Sequence, residues 1–207
     1  MEKNEFKDQG YELISSVAKA MGNAHRLELL ELLANGPKSV EELAREARIS
    51  VANASQHLQK LSQYKLVKTR RQQVTIYYRL ANESVLKLIM ALHKTAYSQL
   101  KELKHTITHF REQFGTDQAA IRTLPDEDYI LLDVRPESEY RHGHRPGAIN
   151  IPHYNLRVSM GTLDKTKLII AYCRGELCTL ADEVVQQLNA AGFRAKRLED
   201  IVMMKSA

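Results

Sequence analysis

The stretch that most limits what this chain can become runs from residue 168 to residue 190. Leu168-Ile169-Ile170-Ala171-Tyr172 is an apolar run with the length of a buried strand. It leads into Cys173-Arg174-Gly175-Glu176-Leu177-Cys178-Thr179, which holds both cysteines of the 207-residue chain. A helical pattern over Leu180–Ala190 follows. A strand that hands a cysteine to the mouth of a helix sets the thiol against loop amides and the positive end of the helix dipole. Both favour the thiolate. The alternative is a pair of small, buried, inert cysteines. Arg174, Gly175 and Glu176 suit a solvent-open turn better than a core.

The setting in which such a thiol works follows from what surrounds it. Met1-Glu2-Lys3-Asn4-Glu5 is charged and no apolar segment follows it, so no secretory signal is expected. No apolar stretch approaches the roughly 18 to 20 residues of a membrane span. Two cysteines in that context indicate a reducing cytoplasm and thiol chemistry rather than a disulfide scaffold. The net charge of +5 is unevenly placed: residues 1–115 carry 18 Lys/Arg against 12 Asp/Glu, and residues 116–207 carry 12 against 13. Between 45 and 79 lie eight basic residues (Arg45, Arg48, Lys60, Lys65, Lys68, Arg70, Arg71, Arg79) and one acidic residue, Glu46. That is the electrostatic footprint of a polyanion binder, with a merely solvated face as the alternative.

The basic segment has helical punctuation. Phe6, Leu13, Ile14, Val17 and Met21 recur at helical spacing over 5–21, and Gly22-Asn23 ends that helix. A second helix runs through 25–33 and stops at Asn35-Gly36-Pro37. Ser39 caps a third helix over 40–47, with Glu42 as capping-box partner, and Ser50 caps a fourth, Val51–Gln63. Two short helices joined by about three residues form a helix-turn-helix. The fourth has Val51, Ala54, Leu58 and Leu61 on one side. Asn53, Ser55, Gln56, Gln59 and Lys60 on the other suit base edges and phosphates. Leu66-Val67-Lys68-Thr69-Arg70 and Val74 to Leu80 flank Arg71-Gln72-Gln73, a hairpin wing tipped with arginine and lacking a turn glycine. One long helix over 83–114 is expected next, with an apolar stripe from Val85 to Phe114.

These residues resemble the ArsR/SmtB family of winged-helix repressors. The resemblance rests on Ala24-His25-Arg26-Leu27 with Leu29-Leu30, Ser55-Gln56-His57-Leu58-Gln59-Lys60-Leu61, and Leu66-Val67, Arg70-Arg71 and Tyr77-Tyr78-Arg79-Leu80. It covers roughly residues 10–110. It implies a homodimer, formed through the first helix and the helix over 83–114, that binds double-stranded operator DNA and releases it on a signal. His57 reads as a packing residue beside Leu58. The family's metal sites are not matched. Residues 40–48 hold no cysteine, Ala91 stands two residues before His93 in place of aspartate, and Thr108 stands three after His105. Neither a metal nor a cofactor is expected.

Beyond Thr116-Asp117 the pattern changes to short strands alternating with helices. Tyr129-Ile130-Leu131-Leu132-Asp133-Val134 reads as a strand, 136–141 as a helix, and Ala195-Lys196-Arg197-Leu198 as the last strand. This predicts a mostly parallel α/β sheet with ligands at the strand C-terminal ends. Asp133-Val134-Arg135, Glu139-Tyr140, the run Gly143-His144-Arg145-Pro146-Gly147-Ala148-Ile149-Asn150-Ile151-Pro152 and the strand-borne Cys173 resemble a rhodanese (sulfurtransferase) domain. The combination resembles the ArsR–rhodanese fusion regulators, and implies that Cys173 carries a persulfide. Amides from Arg174 to Thr179 are expected to converge on it, with Arg174 lowering the thiol's pKa. Asp133 and Arg135 read more readily as structural than as catalytic, the first bracing loop amides and the second pairing with Glu139. Cys178 either resolves the persulfide or is the first buried residue of the helix. Thr179 stands where related phosphatases need an arginine, which argues against phosphatase or arsenate-reductase chemistry. The pattern departs from the family after Leu198-Glu199-Asp200, where Ile201 to Ala207 follow without the usual glycine and tryptophan-bearing helix.

The expected architecture is an α+β winged helix-turn-helix domain over 1–115, followed by an α/β rhodanese-like domain over 116–207 that looks shortened at its C-terminus. The expected function is a cytoplasmic DNA-binding regulator that senses or carries small sulfur species at Cys173, with no membrane partner. Its candidate sulfur-site residues are Cys173, Arg174, Gly175, Glu176, Leu177, Cys178, Thr179, Asp133 and Arg135. Its candidate DNA-contacting residues are Asn53, Ser55, Gln56, Gln59, Lys60, Arg70 and Arg71. The alternatives are a sulfurtransferase that uses the winged helix only to dimerise, and a repressor with an inert rhodanese remnant.

Overall fold

Caps legible in the sequence set the helix boundaries of the N-terminal region. Asn23 accepts the Arg26 amide at 3.1 Å and opens α2 (Ala24–Ala34) after α1 (Lys3–Met21). Ser39, in β1 (Lys38–Ser39), accepts the Glu42 amide at 3.2 Å while the Glu42 carboxylate accepts the Ser39 amide at 2.7 Å. This reciprocal pair starts α3 (Val40–Glu46). Ser50 accepts the Asn53 amide at 3.2 Å and starts α4 (Val51–Gln63). The computed structural model describes residues 3–116, 118–119 and 129–198. The chain divides into two compact units, Met1–Ile89 and Met90–Ala207, a division upstream of the expected 115/116 boundary.

The turn between α3 and α4 closes without glycine. Arg48 takes φ 54°, its amide reaches the Arg45 carbonyl at 3.3 Å, and the Ile49 amide reaches the Ala44 carbonyl at 3.0 Å. These are the two bonds of a Schellman ending, normally the province of glycine. Ala54, Leu58 and Leu61 of α4 are fully buried with Leu29, Leu30 and Leu43. Val51, expected on that apolar side, stays exposed.

The wing differs from expectation at its tip. β2 (Val67–Gln72) pairs with β3 (Thr75–Leu80) in antiparallel register through Gln72 and Thr75, so the connection is Gln73-Val74. Gln73 takes the left-handed conformation, φ 54°, that a tight hairpin demands and that glycine usually supplies. Arg71 and Gln72 are therefore strand residues, not tip residues. β1 pairs with the other edge of β3.

The single long helix over 83–114 is a second correction. The chain forms α5 (Glu83–Gln99) and α6 (Lys101–Phe114), separated at Leu100, whose φ −98° and ψ 100° are extended. No proline or glycine causes the break. Packing does. Val85, Leu86 and Ile89 are the buried residues of α5, whereas α6, itself part of the second unit, buries Ile107 and Arg111 and packs on α9 (Leu180–Ala190).

In the second unit β4 (Gln118–Ala119), β5 (Tyr129–Asp133), β6 (Ile149–Asn150), β7 (Leu168–Tyr172) and β8 (Arg194–Leu198) form one sheet. Its order is β4-β8-β7-β5-β6 and every pairing is parallel. α7 (Glu137–His142) follows β5, and α8 (Leu156–Ser159) lies between β6 and β7, flanked by single 3₁₀ turns. Leu132, Ile169, Ala171, Ala181, Val184, Val185 and Leu188 form a core between sheet and α9. Parallel strands buried on both faces read as the continuous apolar runs seen at 129–134 and 168–172. The segment after Leu198, where a shortened domain is expected, lies outside the described residues. Among those residues no helix is long and apolar enough to cross a membrane.

Candidate functional site

The sheet order puts β7 at the centre of the second unit, with β5 and β8 as neighbours. Cys173 follows β7 directly, at the C-terminal ends where parallel sheets present ligands. It is 8% exposed. Its thiol donates to the Cys178 carbonyl at 3.3 Å, so the loop folds back on itself across five residues.

The cation at this sulfur is Arg197, in β8. Arg197 stands opposite Ala171 in the β7–β8 register, and Ala171 and Cys173 lie two residues apart on the same face. Its Nη1 lies 3.5 Å from Cys173 Sγ, 3.1 Å from the Cys178 carbonyl oxygen and 2.9 Å from Asp182 Oδ2. Its Nη2 donates to the Gly175 carbonyl at 2.8 Å. One guanidinium thus holds the loop backbone, a helix carboxylate and the thiol together.

Burial pulls the Cys173 thiol upward. The hydrogen bond from the Cys178 thiol, the charge of Arg197, the Ala181 amide and the Arg197 hydrogen bond outweigh it, and bring the thiol from its ordinary 9.0 to about 6. Cys178 moves the other way, pushed well above the ordinary thiol range by its hydrogen bond to Cys173, by burial and by the neighbouring thiolate. The pair is asymmetric: one sulfur is a thiolate near neutrality and the other keeps its proton.

Arg174, expected to supply the charge, is turned elsewhere. Its Nε reaches both Glu139 oxygens at 3.1 and 2.9 Å, and its Nη2 reaches Oε1 at 2.6 Å, a bidentate pair with a carboxylate that is 1% exposed. Its charge bears on Cys178. The amide on the Cys173 sulfur belongs to Ala181, in the first turn of α9, beyond the segment expected to form a nest. Leu177 is the exposed residue of the loop and Thr179 is the N-cap of α9, its hydroxyl donating to Glu183 at 2.9 Å.

Asp133 and Arg135 are both fully buried and face each other rather than solvent. Arg135 Nη2 lies 2.6 Å and Nε 3.0 Å from the Asp133 carboxylate, which also accepts the Arg135 amide at 3.0 Å. Asn150 donates to the backbone carbonyls of both residues at 2.9 Å. The expected partner of Arg135, Glu139, adds to its field but is gripped by Arg174.

Glu176 meets Arg111 of α6. Arg111 Nη2 lies 2.5 Å from the Glu176 carboxylate and donates to the Glu176 carbonyl at 2.9 Å. Its Nε stands 4.0 Å from Asp182 Oδ1. Arg197, Asp182 and Arg111 were outside the expected site. They come from a strand, a helix and a preceding helix, and only the fold gathers them.

In the first unit, α4 exposes Gln56, Gln59 and Lys60 opposite its buried face, while Asn53 and Ser55 lie half-buried at the margins. Arg70 and Arg71 are both exposed, but adjacent strand residues point to opposite faces. The register sets Arg70 beside Lys68 and Arg79, whereas Arg71 shares the face of buried Val67 and donates to the Gln73 carbonyl at 3.1 Å. His57 lies 5.7 Å from His25, centroid to centroid, and burial with the charges of Arg26 and His25 lowers its pKa. Among the described residues no group of three or more His, Cys, Asp or Glu is arranged to hold a metal ion.

Comparison with known proteins adds the following. Residues 21–70 match the helix-turn-helix domain family, and residues 116–200 match the rhodanese-like domain family. The HTH-type transcriptional regulator Rv0324 of Mycobacterium tuberculosis is 36% identical over 190 residues, 90% of this chain and 84% of that protein. The HTH-type transcriptional regulator KmtR of the same organism is 41% identical over 78 residues, 38% of this chain and 60% of that protein. The solution structure of a homodimeric winged helix-turn-helix DNA-binding domain from Mycobacterium bovis is 35% identical with a TM-score of 0.44, covering 45% of this chain and 87% of that one.

Proposed function

The chain belongs to the HTH-type transcriptional regulators that join an ArsR-type winged helix-turn-helix domain to a rhodanese-like domain, and from that premise we propose that sulfur carried on Cys173 controls its binding to operator DNA. The single observation that carries the sulfur reading is a buried cysteine at the C-terminal end of β7 with the Arg197 guanidinium 3.5 Å from its sulfur; the hydrogen bond with Cys178 and the Arg197 charge together lower its pKa. An inert core cysteine has no such partner.

The chemistry is a sulfur transfer. The Cys173 thiolate attacks the terminal sulfur of a polysulfide, a new S–S bond forms, the adjacent S–S bond breaks, and the shortened polysulfide leaves with the electron pair. The product persulfide is anionic and stays beside Arg197 and the helix N-terminus. The hydrogen bond between Cys173 and Cys178 keeps the two sulfurs close enough for a further step once Cys178 gives up its proton. The Cys178 sulfur attacks Cys173 Sγ to form a disulfide, and hydrosulfide leaves carrying the Cys178 proton.

On the DNA side, Gln56, Gln59 and Lys60, with Asn53 and Ser55 at the margins, enter the major groove, and the wing supplies phosphate contacts. The dimer forms through the exposed apolar residues of α1 (Phe6, Tyr11, Leu13 and Ile14) with Leu88 and Leu92 of α5.

The test is DNA affinity of wild type and Cys173→Ser, each with and without polysulfide, with mass spectrometry of the Cys173 peptide. Polysulfide is expected to change wild-type affinity, to leave Cys173→Ser unchanged, and to add one sulfur to the peptide or remove two hydrogens across Cys173 and Cys178. Equal responses of the two proteins would refute the proposal. A sulfur adduct without any change in affinity would favour the sulfurtransferase reading.

A further inference from the structure

Among the described residues, the titratable groups gathered around Cys173 are carried, Arg111 excepted, by the segment matching the rhodanese-like family. Arg197 comes from β8, Asp182 from α9, and Glu176, Arg174 and Cys178 from the loop. Glu139 comes from α7, Tyr172 from β7, and Asp133 with Arg135 from the end of β5. That segment begins at residue 116. Arg111 lies before it, in the last turn of α6, and is 5% exposed.

A buried guanidinium is costly to desolvate and persists only where carboxylates and carbonyls surround it. Arg111 meets the Glu176 carboxylate at 2.5 Å, the Glu176 carbonyl at 2.9 Å and Asp182 Oδ1 at 4.0 Å. Gln118 of β4, its amide turned to accept, takes Nε at 3.2 Å and Nη1 at 2.6 Å. The other oxygen of Asp182 binds Arg197, the cation at the sulfur. Two arginines thus balance two carboxylates in one buried cluster, and Arg174 with Glu139 balance each other beside it.

We propose that Arg111 is a positioning residue of the Cys173 site: it neutralises Glu176 and the far oxygen of Asp182, so that Arg197 is left to the sulfur, and the thiolate form of Cys173 and the seating of α6 support each other. Without Arg111 the cluster carries an excess negative charge before the thiolate forms. Asp182 then competes with the sulfur for Arg197, and Glu176, in the same loop as Cys173, adds its own repulsion. Both effects favour the protonated thiol. The proposal rests on the reading of Cys173 as a reactive thiolate, and concerns what holds that thiolate rather than what it reacts with.

The test is the pH dependence of Cys173 alkylation by iodoacetamide in the full-length chain, read on the Cys173 peptide, for wild type, Arg111→Gln and Arg111→Lys. Loss of one compensating charge in a buried cluster is worth roughly a tenfold change in thiolate population. Arg111→Gln should therefore alkylate about tenfold more slowly on the acid side of the profile. It should reach the wild-type rate where the thiol is fully ionised. Arg111→Lys should recover part of the shift. A merely structural ion pair would lower thermal stability and leave the midpoint in place, and an unmoved midpoint in Arg111→Gln overturns the proposal. A wild-type midpoint in the ordinary thiol range would overturn the reactive-thiolate reading as well, so the two failures are distinguishable. Should Arg111→Gln not fold, Glu176→Gln tests the same balance from the other side, with an expected shift to lower pH; an unmoved midpoint there is equally fatal.

Discussion

Replacing Arg197 with glutamine should disarm Cys173 without removing the sulfur. The thiol sits at about 6 against an ordinary 9.0, a difference worth about 4 kcal/mol in favour of the thiolate at 1.36 kcal/mol per unit. Burial opposes this, so the hydrogen bonds and charges supply more than the net figure. Arg197 acts twice, as a charge and as a donor at 3.5 Å, while the Cys178 thiol and the Ala181 amide remain in the variant. We therefore expect Arg197→Gln to raise the alkylation midpoint by about one to two units, and Arg197→Lys by less. The assay is the second-order alkylation rate across pH, read at Cys173 by mass spectrometry in the chain that keeps Cys178. Near neutrality the Gln variant should react roughly twofold to tenfold more slowly than its parent, and roughly tenfold to a hundredfold more slowly well below pH 6. Equal plateaus at alkaline pH would show that the loop keeps its shape after losing the bonds to Gly175 and Cys178. A midpoint within a few tenths of the parent's would refute the assignment of Arg197 and transfer its role to the backbone. Stability follows the same sign. A thiol depressed in the native state contributes fully above the unfolded value of 9.0, and that contribution is lost as pH falls through about 6.

Three further outcomes are expected. Arg70→Ala, on the face shared with Lys68 and Arg79, should weaken DNA binding and reduce the salt slope by about one, while Arg71→Ala should change the slope far less; equal effects in a filter-binding titration would contradict the wing register. Asp133→Ala leaves Arg135 buried without its carboxylate and should cost about 3 to 5 kcal/mol in chemical denaturation, whereas a loss below about 1 kcal/mol would mean the pair does not brace the β5 loop. Ile14→Glu, at a position 68% exposed on α1, should shift the sedimentation profile toward monomer with little change in helical content; an unchanged dimer would move the interface elsewhere.

Local chemistry was readable and long-range chemistry was not. The limits of α4, β7 and α9 follow from Ser50, from a run of apolar residues and from helical periodicity, all local signals. The capping box from Ser39 to Glu42 spans four residues. The cysteine loop was legible as a reactive site because its neighbours suit a turn. Its cation was not: Arg174 is adjacent in sequence, but Glu139 lies across the fold to claim it, and Arg197 reaches the sulfur only through the parallel β7–β8 register. Register depends on the whole sheet, and no window along the chain contains it. The break at Leu100 escaped for a related reason. Its residues favour helix, and the interruption separates α5, which buries Val85, Leu86 and Ile89, from α6, which buries Ile107 and Arg111.

The contact between Arg111 and the cysteine loop also bears on the direction in which information flows. Equilibrium coupling has no preferred sender: if sulfur on Cys173 changes DNA affinity by some factor, bound DNA changes the affinity for that sulfur by the same factor. One residue, Leu100, separates α6 from α5, and the last turn of α6 places Arg111 in the charge cluster beside the cysteine loop. A regulator of this design would hold different thiol acidities on and off its operator. Its sulfur occupancy in a cell would then report not only how much polysulfide is present but how many operators are filled.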